Sequence, residues 1–206
     1  MIAILDYDAG NLKSVEKALT FLREESIITR DRNEVKQADK LILPGVGSFG
    51  AAMEQLKKYE IDQMLEEAVE EGKPLLGICL GLQLLFEGSE ESHGVEGLHL
   101  LKGSIVKIPD QEGLKIPHIG WNSLKLEHNG RLFQGIHAEP YVYFVHSYYL
   151  HAEEERIVTA SAEYGVWIHA SVEQGNIFAC QFHPEKSSSV GLKILSNFAK
   201  IQGGND

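Results

Sequence analysis

Three short apolar runs, Ile2-Ala3-Ile4-Leu5, Leu41-Ile42-Leu43 and Leu75-Leu76-Gly77-Ile78, alternate with longer stretches whose apolar residues recur every three to four positions. A strand with no polar alternation must be buried on both faces, which a parallel sheet covered by helices provides. The pattern predicts an α/β fold with a mainly parallel central sheet flanked by helices. Ser26–Thr29 reads as a further strand, and Leu12, Val15, Leu19 and Leu22 as the apolar face of a helix started by Gly10-Asn11. Pro44 is expected to stop the third strand. Residues 51–71 are expected to form one long helix carrying Met53, Leu56, Met64, Leu65 and Val69, closed by Gly72. From Cys79 to Phe86 the spacing is helical, so the fourth strand passes into a helix almost without a loop.

The second half changes character. Residues 98–108, 117–126, 141–150, 157–161, 166–170 and 177–182 are short β-rich segments split by Gly, Asn and Pro, predicting extra antiparallel or mixed strands. Ser187-Ser188-Ser189 is expected to cap a final helix with Leu192, Leu195, Phe198 and Ile201, ending at Gly203-Gly204. With no repeat or linker, residues 1–206 read as a single domain, and 206 residues can bury a real core. A net charge of −11 argues against a general nucleic-acid or anionic-membrane surface. Two cysteines and no C-x-x-C exclude a disulfide scaffold and a four-cysteine zinc site. The longest apolar stretch, 74–86, contains Gln83 and is too short for a bilayer, and Asp6 interrupts any leader. The expectation is a cytoplasmic protein.

Gly77-Ile78-Cys79-Leu80-Gly81 is a G-x-C-x-G at the strand-to-helix passage, the cysteine form of a nucleophile elbow. Such a turn crowds the flanking backbone, so its neighbours must lack side chains. It also sets the thiol at a helix N-terminus, which favours the thiolate. Cys180, within an apolar run, reads as a core cysteine. Among nine histidines, His93, His128, His137 and His151 lie in polar stretches and read as surface residues. His183 differs, because His183-Pro184-Glu185 sets imidazole and carboxylate two apart in a segment that proline holds extended. Period-two geometry would point both the same way, Glu185 orienting the ring while its other nitrogen faces the thiol. Residues 45–50 also match G-x-G-x-x-G. However, the preceding strand is not the first, Pro44 interrupts the passage, and no acid ends a second strand, so a dinucleotide site is not expected. A loop poor in side chains is better used to aim backbone N–H groups at an oxyanion, jointly with that of Leu80. No P-loop or H-E-x-x-H occurs, and neither metal nor cofactor is expected.

In that order, Pro44-Gly45-Val46-Gly47, Gly77-Ile78-Cys79-Leu80-Gly81-Leu82-Gln83 and His183-Pro184-Glu185 resemble the class I (triad) glutamine amidotransferases, a flavodoxin-like fold family. Asp6-Tyr7-Asp8-Ala9-Gly10-Asn11, Pro117-His118-Ile119-Gly120-Trp121-Asn122, Phe144-Val145-His146-Ser147-Tyr148 and Gln181-Phe182-His183-Pro184-Glu185-Lys186-Ser187-Ser188 are similar to the glutaminase subunits of imidazole glycerol phosphate synthase, in histidine biosynthesis. At Asp8-Ala9 that family more often carries Gly-Met.

The resemblance implies a glutaminase with Cys79 as nucleophile, His183 as acid and base, and Glu185 orienting the ring. It implies an oxyanion site at Val46, Gly47 and Leu80, and glutamine contacts at Gly45, Gln83, Glu91, Ser147 and Tyr148. It further implies a heterodimer with a (β/α)₈ cyclase that receives ammonia through a shielded channel and raises glutaminase activity when its nucleotide substrate is bound. Asn11, Trp121 and Lys186 are the interface candidates. A peptide flip within 44–47 offers a switch, since glycine-flanked backbone reorients without side-chain clashes. The rivals are the glutaminase subunit of another amidotransferase, such as pyridoxal phosphate synthase, a cysteine peptidase or deglycase, and a non-catalytic scaffold subunit.

Overall fold

In the first half of the chain every strand hands on to a helix. β1 (Ile2–Leu5) is followed by α1 (Leu12–Phe21), β2 (Ser26–Thr29) by α2 (Arg32–Gln37), β3 (Lys40–Gly45) by α3 (Phe49–Lys58) and α4 (Ile61–Glu70), and β4 (Leu75–Cys79) by α5 (Leu80–Leu84). There follow β5 (Gly103–Lys107), β6 (His118–Ser123), β7 (Lys125–Leu126), β8 (Tyr141–His146), β9 (Tyr148–Ala152), β10 (Val158–Glu163), β11 (Trp167–Gln174), β12 (Ile177–Cys180) and α6 (Ser188–Lys200). The structure, a computed structural model, describes residues 1–127 and 130–204, so His128 lies outside the described residues.

An eight-stranded sheet runs in the order β2-β1-β3-β4-β12-β11-β10-β7. Its first five strands pair in parallel and the remainder antiparallel. With β12 in fifth place this is the flavodoxin-like order, whose ligand crevice lies beyond the carboxyl ends of the strands. Alternate residues feed two apolar layers: Ala3, Leu5, Leu41 and Leu43 pack toward α3, α4 and α5, while Ile2, Ile4, Ile42 and Leu76 pack toward α1 and α6. Two ribbons, β5–β9 and β6–β8, stand apart from the sheet. Among the described residues no helix is long and apolar enough to cross a membrane.

Several boundaries differ from expectation. Pro44 does not stop β3, which pairs with β4 as far as Gly45↔Cys79. Pairing with β1 ends at Ile42, and the Pro44 carbonyl on that open side accepts the Tyr7 hydroxyl at 2.7 Å, so the missing proline N–H leaves no sheet bond unmade. The helix expected over 51–71 is two helices, broken at Tyr59-Glu60, where Glu60 takes a left-handed φ of 56°. The apolar spacing carries that break: Phe49, Ala52, Met53 and Leu56 are followed by Ile61, Met64, Leu65 and Ala68, with a gap of five instead of three or four. α2 stands where no helix is expected; Asp31 caps it, accepting from the backbone N–H of Asn33 and Glu34. The expected strand over 98–108 shrinks to β5, those over 117–126 and 141–150 each divide into two, β10 and β11 extend further, and β12 ends at Cys180. α6 ends at Lys200, short of Gly203. Ser187 occupies its N-cap without capping, since its hydroxyl instead donates to the His183 carbonyl at 2.6 Å and accepts from the Tyr143 N–H at 2.9 Å.

The inner side of the β6–β8 ribbon holds a buried imidazole pair. His146 Nδ1 must donate to the Tyr148 carbonyl (2.9 Å), so its Nε2 accepts from His118 Nδ1 (3.0 Å). Burial pushes His118 down to about 4 and His146 down to about 3. Both rings are therefore neutral in the folded chain at ordinary pH.

Two outcomes follow from this packing. A Cβ added at Gly81 would collide with the Leu43 carbonyl oxygen, so Gly81→Ala should lose on the order of 3 kcal/mol in urea unfolding, and an unchanged midpoint would contradict the packing. The imidazole pair sets an acid limit. As pH falls through about 6.5 the unfolded chain takes up protons that folded His118 and His146 refuse, so stability present above that pH is lost toward about 4 and below. His118→Asn should be less stable at neutral pH yet lose stability more gently on acidification, by up to about 1.4 kcal/mol per pH unit. Parallel stability–pH curves would overturn this.

Candidate active site

Cys79 ends β4 and begins α5, with φ 55° and ψ −109°, a backbone that an L-residue holds only under constraint. The constraint is visible on both flanks. A Cβ on Gly77 would stand 2.8 Å from the Gly81 carbonyl oxygen, and one on Gly81 would strike the Leu43 carbonyl of β3. Strand alternation would send Cys79 to the layer opposite Ile78, but the kink places it in the same layer as Ile78, Cys180 and Phe182. Cys180 is fully buried, as a core cysteine should be.

Register brings the histidine to the cysteine. β12 runs parallel to β4 with Cys180 level with Ile78, so the residues after β12 emerge beside the elbow. His183 is fastened by its N–H to the Tyr143 carbonyl at 2.9 Å and is almost wholly buried. Beyond it the chain does not stay extended: Pro184–Lys186 form a 3₁₀ turn, which folds Glu185 back so that Nδ1 donates to Oε1 at 2.8 Å. Nδ1 is thereby committed, and Nε2 is buried without a hydrogen-bond partner, as is Glu185 Oε2. Burial alone would disfavour the imidazolium, but Cys79 and Glu185 outweigh it and push His183 up to about 9. The pair is electrostatically matched to a thiolate.

Val46, Gly47, Cys79, Leu80, Gln83, Glu91, Ser147, Tyr148 and His183 line one cavity of about 300 Å³, with Pro117, Val145 and His146 completing the wall. Gly45 does not line it. It lies buried behind, where a side chain would collide with the Tyr7 hydroxyl and crowd Leu80. Gly47 has φ +106° with open space around its α-carbon. Glu91 accepts the Phe49 N–H at the start of α3 (2.7 Å), and Gln83 gives both its donors to the protein, to the Tyr148 carbonyl and to Gln181 Oε1, each at 3.0 Å. Of the interface candidates, Trp121 is 52% exposed with Ile119 and Tyr141 similarly bare, and Lys186 is exposed. Asn11 is instead turned inward, its Nδ2 donating to Glu185 Oε1. His93, His137 and His151 are exposed. Among the described residues no three His, Cys, Asp or Glu gather as a metal would require.

Sequence reasoning missed four contributors: Tyr7, Gln181, and the His118–His146 pair. Each acts through a long-range contact, and the motifs that contain them carry no spacing rule that signals one.

The glutamine amidotransferase class-I family model matches residues 3–201. The chain is 48% identical over 201 residues to the imidazole glycerol phosphate synthase subunit HisH of Oceanobacillus iheyensis, covering 98% of this chain and 99% of that protein. It is 47% identical to the subunit of the same name from Methanocaldococcus jannaschii, covering 98% and 100%. Its fold matches the crystal structure of a glutamine amidotransferase with a TM-score of 0.75 at 22% identity, over 97% and 99% of the two chains. A chain of the PurLQS structure from Thermotoga maritima matches with a TM-score of 0.71 at 20% identity, over 96% of each. With a cysteine elbow, a carboxylate-braced histidine and this likeness along its whole length, the chain belongs to the class-I glutamine amidotransferases and, among them, to the HisH subunits of imidazole glycerol phosphate synthase.

Proposed function

We propose that residues 1–206 act as one domain that hydrolyses glutamine and passes the ammonia to a cyclase subunit, together forming imidazole glycerol phosphate synthase of histidine biosynthesis in the cytoplasm. The observation that carries the reading is the buried His183–Glu185 pair, 2.8 Å apart, on the wall of the cavity that holds Cys79. Cys79 thiolate attacks the side-chain carbonyl carbon of glutamine, and its oxygen becomes an oxyanion. The backbone N–H groups of Val46 or Gly47 and of Leu80 stabilise that charge. The proton held at His183 Nε2 goes to the departing nitrogen, leaving a glutamyl thioester. The same nitrogen then takes a proton from water, which attacks the thioester and releases glutamate. Glu185 fixes the ring and favours its cation, while Asn11 and the 3₁₀ turn fix Glu185.

Gln83, Glu91, Ser147 and Tyr148 bound the part of the cavity that would take the amino-acid end of glutamine. Gln83 has its Oε1 free to accept, and Glu91 offers a carboxylate to an ammonium group. Gly45 serves this site as packing. Gly47's positive φ supports a loop able to reorient its peptides. The bare apolar side chains of Ile119, Trp121 and Tyr141, with Lys186, form the face on which the cyclase would seat.

In the purified one-to-one complex, Cys79→Ala should abolish cyclisation driven by glutamine, at least about 10³-fold, and spare cyclisation supplied with ammonium salt. Loss of both activities with the complex intact would mean that Cys79 is structural, and survival of the glutamine-driven rate would end the proposal.

A further inference from the structure

Gln181 lies fully buried between β12 and His183, where an amide must find partners for both its ends. Its Oε1 accepts from Gln83 Nε2 at 3.0 Å, and its Nε2 stands 3.7 Å from Cys79 Sγ. The direction of these bonds follows from an acceptor that cannot change. The Tyr148 carbonyl takes one Gln83 N–H, the second Gln83 N–H faces Gln181, and Gln181 must therefore present oxygen to Gln83 and NH₂ to the sulfur. Sγ also has the His183 ring as an electrostatic neighbour and the Val145 carbonyl at 3.9 Å, a pure acceptor. A thiol can donate to that carbonyl; a thiolate can only be repelled by it.

We propose that Gln181 is a catalytic residue, whose side-chain NH₂ donates to the Cys79 thiolate and holds Sγ toward His183, and that Gln83 is a positioning residue that orients Gln181. This rests on the reading of Cys79 as the nucleophile. Ionisation exchanges the Val145 carbonyl for the Gln181 amide, which joins the His183 ring as a donor to the sulfur. Gln83 thus does more than bound the glutamine cavity: it ties the Tyr148 wall to the reacting atom through two hydrogen bonds.

The test is the pH dependence of Cys79 alkylation by iodoacetamide in the full chain, with the Cys79 adduct counted by mass spectrometry. Gln181→Met keeps length and removes the donor, so the midpoint should rise by about one unit, the size expected for a hydrogen bond to a charged group. At neutral pH the rate should fall roughly threefold to tenfold, since a more basic thiolate recovers part of the loss in nucleophilicity. Gln181→Glu, which sets a carboxylate against the sulfur, should shift the midpoint further. In the unaltered chain, the ¹⁵N-labelled side-chain amide of Gln181 should titrate with the alkylation midpoint and lose that titration in Cys79→Ala. Superimposable alkylation profiles in folded Gln181→Met would overturn the proposal. Should that variant not fold, an amide resonance indifferent to thiol ionisation would overturn it equally. Neither result touches the nucleophile reading, which glutamine turnover in Cys79→Ala decides separately.

Discussion

The carbonyl oxygen of Leu43 and the α-carbon of Gly81 sit closer than any side chain would permit, and the geometry of the cavity follows from that approach. It presses the first turn of α5 against the end of β3. Val46, Gly47 and Leu80 then border the same cavity as Cys79, although they belong to separate crossovers. It also kinks the backbone at Cys79, turning the side chain out of strand alternation and into the layer of Cys180 and Phe182, on the cavity it shares with His183. One backbone contact thus sets the start of α5, the loop after β3 and Cys79 around the same space.

Burial alone would drive every imidazole in this region toward the neutral form, yet the three closest to the cavity diverge. His146 has a carbonyl and another neutral ring as partners and stays far below the ordinary range, with His118 beside it. His183 is as deeply buried, but its neighbours are a carboxylate and a thiol, and the balance reverses. The positive charge of His183 further discourages protonation of His146. One cavity therefore holds a ring suited to carry a proton and a ring suited to remain a fixed dipole. The unpartnered Nε2 of His183 and Oε2 of Glu185 are the cost of that poise, since buried polar atoms are rarely left unbonded.

The parts of this site that were legible in the sequence are those where chemistry and local backbone coincide. The elbow needs glycines two before and two after its cysteine, and the short spacing of His183 and Glu185 announced their pairing, although through a 3₁₀ turn and not the extended segment expected. Pro44 misled because a proline's fitness in a strand depends on whether a neighbour stands on its N–H side, which is settled by how far β1 extends. The interruption at Tyr59-Glu60 was present in the apolar spacing and was masked by continuous helix-forming residues around it. The roles of Gln181 and Asn11 were illegible for another reason. Gln181 reaches Cys79 and Asn11 reaches Glu185 across more than 100 residues of sequence, and only the pairing of β12 with β4 and the docking of α1 supply the contact.

The β6–β8 ribbon joins two environments through strand alternation. Ile119, Trp121 and Tyr141 are bare to solvent, while His118, Phe144 and His146, from the same two strands, are buried and stack or bond with one another. The ribbon's last pairs set His118 against His146 and Ile119 against Val145, and Val145 contributes both cavity wall and the carbonyl nearest the sulfur. These strands cannot move without moving that carbonyl and the His146–Tyr148 bond. The Tyr148 carbonyl that receives His146 also receives Gln83, which in turn bonds Gln181 beside the sulfur. The ribbon is thus joined to Cys79 by a run of hydrogen bonds, although the main sheet leaves it separate.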